Sequence, residues 1–126
     1  MPNPIIATTD ETEFVFDVAT LQDASAQRWA HVEFAPTTGQ LAAASSGRFV
    51  IAHEAGSANF LAVEVLLGGQ GLDLDTRDPQ LAAAFIAWIT TLPGFPESGV
   101  ILGEWADEFL PLYPNETERD LLAALA

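Results

Sequence analysis

The segment from Asp78 to Pro93 constrains the fold more than any other part of this chain. It opens with Asp78-Pro79, a capping carboxylate followed by proline at the first helical position, and it stops at Leu92, just ahead of Pro93. Between these signals Leu81, Phe85, Trp88, Ile89 and Leu92 recur at helical spacing and form one apolar stripe, while the opposite side offers Ala82, Ala83, Ala87 and Thr90. No charge occurs from Leu81 to Leu92. A helix that is apolar on both sides must be covered on both sides. The expectation is therefore a helix over about 79–92 with a sheet beneath it and a second layer above, either the C-terminal segment or another subunit.

The sheet is announced by runs in which apolar residues alternate with polar ones. Phe14, Phe16 and Val18 oppose Glu13 and Asp17, which predicts a half-buried strand over 13–18. A second strand is expected over Trp29–Phe34, after a polar connection through Gln22, Asp23, Ser25 and Gln27 with room for a helical turn. Leu41–Ser46 suits either a helix, through its consecutive alanines, or a short edge strand, and is taken as the strand. Arg48–His53, Asn59–Leu67 and Leu72–Asp75 follow, separated by Glu54-Ala55-Gly56-Ser57 and by Gly68-Gly69-Gln70-Gly71. Val100–Leu102 reads as a last short strand. Asn115 with Glu118 makes a capping box for a terminal helix whose Leu121, Leu122 and Leu125 share a face. The fold class is α+β: a curved antiparallel sheet of about five to six strands with the 79–92 helix and the C-terminal helix packed on one side. An extended N-terminal segment over 1–12, with Pro2 and Pro4, precedes a single α+β domain over 13–126.

Charge narrows the function. Of 126 residues, 18 are acidic and 4 basic, a formal net charge of −14, and the bases are all arginine. A surface that holds nucleic acid neutralises phosphates with clustered Lys or Arg. Here Arg28, Arg48, Arg77 and Arg119 stand singly among acids, so no nucleic acid is expected as a ligand. The same field repels anionic membranes and attracts basic proteins. An apolar content of 49% argues against disorder despite the charge. With no cysteine there is no disulfide, thiolate metal site or thiol nucleophile. Residues 1–13 lack the basic start and apolar run of a secretory signal, and the longest apolar stretches, Phe60–Leu67 and Leu81–Ile89, fall short of the roughly 20 residues needed to span a bilayer. A cytoplasmic location is the resulting expectation.

The reactive groups do not assemble into a known catalytic pattern. His53 and Glu54 are adjacent on a predicted strand end and so point to opposite faces, while His31 sits mid-strand next to an acidic face at Glu33. Ser45, Ser46 and Ser57 lie outside any nucleophile-elbow context. Asp73, Asp75 and Asp78 depart from an EF-hand loop, since Asp78 serves as a helix cap and leaves Asp73 and Asp75 on one face of a short strand. Gly68-Gly69-Gln70 repeats the peptide-release tripeptide of translation termination factors in three letters only. An acidic chain is unsuited to ribosomal RNA, and the glycines read as a hairpin loop. No cofactor, metal or catalytic residue is assigned.

What remains is a partner surface. Glu104, Trp105, Asp107, Glu108 and Phe109 combine rings that can anchor with carboxylates that can steer, and they are the candidate partner-binding residues. The leading expectation is a non-enzymatic acidic binding protein that neutralises a basic protein partner, a toxin or effector, as a bacterial immunity protein does. An acidic secretion chaperone, which would form a homodimer through its uncharged helix, or an inhibitor mimicking nucleic acid is the first alternative. A small enzyme or ligand-binding domain using His31 and His53 is the second.

Overall fold

The computed structural model describes residues 5–9, 12–29, 31–34, 45–52, 60–76, 78–103 and 110–125. In chain order the elements are β1 (Ile5–Thr8), α1 (Val18–Arg28), β2 (His31–Phe34), β3 (Ser45–Ala52), β4 (Phe60–Leu66), β5 (Gly71–Thr76), α2 (Pro79–Ile89), β6 (Val100–Gly103), β7 (Leu110–Pro111) and α3 (Glu118–Leu125). The strands form one seven-stranded sheet in the order β2-β3-β4-β5-β1-β6-β7, antiparallel at every pairing and not closed into a barrel. The expected α+β class is the class observed.

Register follows the core. Phe49 lies opposite Val63 and Val63 opposite Leu74; Val65, Leu72, Ile6 and Leu102 form the next row across β4, β5, β1 and β6. All of these side chains are buried, and a slip of one residue would turn them to the opposite face. They meet the buried side of α2, where Leu81, Ala82, Ala83, Phe85, Ile86 and Ile89 lie. The Phe85 ring packs on Phe49 at 6.4 Å. Full burial of a phenylalanine contributes about 1.5–3 kcal/mol, so this contact is a principal bond between helix and sheet.

Asp78 caps α2 as the sequence predicts, its Oδ1 accepting the amides of Gln80 at 3.0 Å and Leu81 at 3.3 Å. The helix ends at Ile89, short of the expected Leu92. The Thr90 and Thr91 hydroxyls donate to the carbonyls of Ala87 and Trp88, and the Thr91 and Leu92 amides bond three residues back, so the chain tightens out of the α-helix before Pro93. The layer expected over α2 is α3, which packs against it with Leu121 buried. Thr117 opens α3 by accepting the Asp120 amide, in place of the predicted Asn115 cap. Asn115 instead adopts a left-handed turn at φ 65° and donates its amide to the Thr90 carbonyl.

Further expectations are corrected. Residues 5–8 of the N-terminal segment are extended, as predicted, but they form an interior strand between β5 and β6, with Ile6 fully buried. Residues 13–18 alternate in burial yet are not a strand. Their link to the sheet is the Phe16 amide, which donates to the Gly69 carbonyl at 2.7 Å, and Asp17 turns the chain into α1 by accepting the Thr20 amide and hydroxyl. The polar connection after it is therefore the eleven-residue α1. Trp29, expected on a strand, is the buried C-cap of α1 and meets Trp88 edge-on at 5.1 Å. Residues 41–44 of the uncertain edge strand lie outside the described residues, while Ser45 and Ser46 open β3. At Gly47 a Cβ would come within 2.9 Å of the Val18 side chain, so the start of α1 lies directly over β3 on the same side as α2. The described helices thus share one side of the sheet. The other side faces away from them.

Candidate functional site

The sheet face turned away from the described helices consists of the positions that alternate with the core. Because Val32, Phe49, Ile51, Leu61, Val63, Leu72 and Leu74 point toward the helices, Glu33, Arg48, Val50, Ala62, Glu64, Asp73 and Asp75 point away from them. Two rows matter. Arg48, Glu64, Asp73 and Ile5 are successive partners across β3, β4, β5 and β1. Glu33, Val50, Ala62 and Asp75 are successive partners across β2, β3, β4 and β5. Neighbouring strands lie about 4.8 Å apart, which puts Glu33 and Asp75 about 14 Å from each other at the two ends of their row. Both are exposed, whereas Val50 is half-buried and Ala62 is buried between them.

Asp73 is the electrostatically strained member of this face. Its side chain is half-buried, and Oδ1 is shielded from solvent with no hydrogen-bond partner. Burial, followed by the charges of Asp75 and Glu64, pushes its carboxyl above the usual carboxylate range. Glu64 stands directly opposite it and Asp75 lies about 7 Å along the same strand, a spacing at which like charges weaken a sheet. Asp17 shows the contrary case: its bonds from Thr20 hold its carboxyl below the ordinary value.

The predicted functional residues fare unequally. Glu104, Trp105, Asp107, Glu108 and Phe109 lie outside the described residues, as does His53. His31 is exposed on β2 at the rim of the sheet face away from the described helices. Asp73 and Asp75 share a face, as their spacing predicts, but among the described residues no set of three His, Asp or Glu side chains is placed to hold a metal ion. Gly68 and Gly69 form the tight link between β4 and β5, the hairpin role read from the sequence, both at positive φ. Two shallow depressions flank the chain near Thr9. One, of about 270 Å³, is lined by Thr8, Thr12 and Gln70; the other, of about 480 Å³, lies among Ser98, Ile101 and Tyr113. Neither gathers an acid, a base and a nucleophile.

Glu33 and Glu64 belong to the face but received no role from the sequence. Period-2 alternation marks each as solvent-facing on its own strand, and only the register across strands brings them beside Asp73 and Asp75. Acids are present elsewhere as well: Asp23 on α1, Glu97 in the loop after α2, and Glu118 and Asp120 on α3 are exposed. No described helix is long and apolar enough to cross a membrane.

No family model, curated protein or solved structure matches the chain.

Proposed function

We propose that this chain is a non-enzymatic acidic binding protein that holds and neutralises a basic protein partner, in the manner of an immunity protein acting on a toxin or effector. The observation that supports this most directly is the placement of Asp73 beside Glu64 and Asp75 on the sheet face away from the described helices, where its carboxylate is held at a cost to the fold. Charge held where it weakens the folded state is characteristic of sites that act on something outside the chain. The net charge of −14 adds long-range attraction, which raises the rate of encounter with a cationic protein. A cytoplasmic location goes with this role, the protein meeting its partner in the compartment where that partner would do harm.

Affinity capture from the native cell at low and at high salt tests the reading. The expected result is a stoichiometric partner with an isoelectric point above about 9, whose association rate with the purified chain falls steeply as salt rises through the range where the Debye length shrinks from about 10 to 3 Å. A partner that is acidic, or whose association rate ignores salt, refutes it.

A further inference from the structure

Residues 13–17 leave one edge of an extended backbone unused. Glu13, Val15 and Asp17 are exposed, while Phe14 and Phe16 turn inward with their rings 5.1 Å apart, the alternation of an extended chain. Amides and carbonyls alternate in such a chain as well. Phe16 donates its amide to the Gly69 carbonyl and Phe14 donates to Thr12 Oγ1, so the Val15 amide and carbonyl point the other way. Among the described residues nothing bonds either of them. Buried backbone groups are almost always paired, and Val15 is 52% exposed, so this edge meets solvent. We propose that residues 13–17 are a strand-addition site, where an extended segment of the basic partner pairs antiparallel with Val15, setting an apolar residue opposite Val15 and a lysine or arginine opposite each of Glu13 and Asp17. This rests on the reading of the protein as a binder of a basic partner and adds a backbone-mediated contact at the end of the sheet where Gly69 joins β4 to β5. Main-chain bonds supply affinity in this mode and alternate side chains supply specificity.

Charge selects the occupant. Glu13 and Asp17 stand about 13 Å apart on one side of the segment, and cations two residues either side of the partner's central residue recur at the same interval on an extended chain. The Thr20 amide and hydroxyl fix Asp17 in its place. The depression of about 270 Å³ adjoins Glu13 and Val15, and its walls at Thr8, Thr9, Thr12 and Gln70 carry oxygen acceptors and no cation, which suits the head of the basic residue opposite Glu13. A second copy of this chain is disfavoured, because antiparallel pairing of two copies about Val15 sets Glu13 of one opposite Asp17 of the other, and like charges directly opposite weaken a strand pair.

The test titrates the purified, isotope-labelled chain with the capped peptide Thr-Lys-Thr-Val-Thr-Lys-Thr and with the same peptide methylated at the valine nitrogen, which removes one backbone donor and leaves every charge in place. Amide NMR shifts report both affinity and position. The unmodified peptide is expected to move the Glu13, Val15 and Asp17 amides most, and the methylated one to bind about tenfold more weakly, since it cannot donate to the Val15 carbonyl. Val15→Pro, which removes the amide on the chain's own side, should weaken the unmodified peptide by a similar factor, whereas Val15→Thr, which keeps the backbone and the branched side chain, should not. Circular dichroism verifies that each variant is folded, and the peptide pair tests the site without any variant. If methylation changes affinity by less than about twofold and the shifts fall on acidic residues away from this segment, strand addition is refuted while charge-driven binding stands. If neither peptide binds even at low salt, the site and the reading beneath it both fall.

Discussion

Replacing Asp73 should strengthen the fold, which is an unusual outcome for a half-buried residue in an interior strand. A shielded carboxylate oxygen without a partner costs about 1–3 kcal/mol, and because Asp73 is only half-buried, screening by solvent reduces this to about 1 kcal/mol. Valine would remove that cost along with the repulsion from Glu64 and Asp75, and its β-branched side chain suits a strand position, on a propensity scale that spans about 1 kcal/mol. The combined gain for Asp73→Val is about 1–2 kcal/mol at pH 7, a rise in Tm of about 4–8 °C for a domain of this size. Urea unfolding followed by tryptophan fluorescence measures it, Trp29 and Trp88 reporting on the core. The pH dependence supplies the sharper check. Burial and like charge raise the carboxyl in the folded state, so the folded protein binds this proton more tightly than the unfolded chain does, and the destabilisation is present in full above the folded pKa. It fades as pH falls through that value and is gone below the unfolded value of about 3.9. The margin of the valine variant over the native chain should therefore narrow on acidification. Asp73→Asn, which keeps the shape and removes the charge, should reproduce part of the gain and the same narrowing. A valine variant less stable than the native chain at pH 7, or a margin that stays constant from pH 7 to pH 4, would refute the account.

The turn and the helix start give further expectations. Gly68 and Gly69 both have positive φ, but only at Gly69 would a Cβ overlap the Phe16 backbone. Gly68→Ala should thus cost about 1–2 kcal/mol for the left-handed backbone alone, whereas Gly69→Ala should cost about 3 kcal/mol or more, since it also displaces the Phe16 amide from its bond to Gly69; chemical denaturation of the two variants side by side gives the difference. Asp78→Ala removes the cap of α2 and should cost about 1 kcal/mol, with Asp78→Asn retaining most of the stability in thermal unfolding.

What the sequence discloses depends on how local the determining physics is. α2 is legible because cap, proline, stripe and stop signal all lie within the helix and agree. β3, β4 and β5 are legible from alternation, since one face of each meets the core. β1 is hard to recognise because its four residues carry no alternating pattern; Ile6 becomes central only through Leu72 and Leu102, which are distant in the chain. α1 lacks an apolar stripe, burying only Leu21 and Ser25 within the helix, so its signal is reduced to the Asp17 and Thr20 pair at its start. Residues 13–18 show the reverse error. Their alternation is real in burial, but alternation does not state whether the backbone has a partner.

The face itself illustrates the same division. Spacing along one strand is enough to place Asp73 and Asp75 together, but the register that sets Glu64 opposite Asp73 and ends the Glu33 row at Asp75 is decided on the far side of the sheet, where Val63 must meet Leu74 and Phe49 must meet Val63. The acids therefore gather as a by-product of core packing unless something retains them there. Solubility alone is served equally well by Asp23, Glu97 or Glu118, which are exposed and leave no carboxylate oxygen shielded and unpartnered. Asp73 contributes the same unit of charge less favourably for the fold, and it does so in a fixed position between two other carboxylates. This difference in cost, more than the total of −14, is the physical ground for placing the proposed contact with a basic partner on the sheet face.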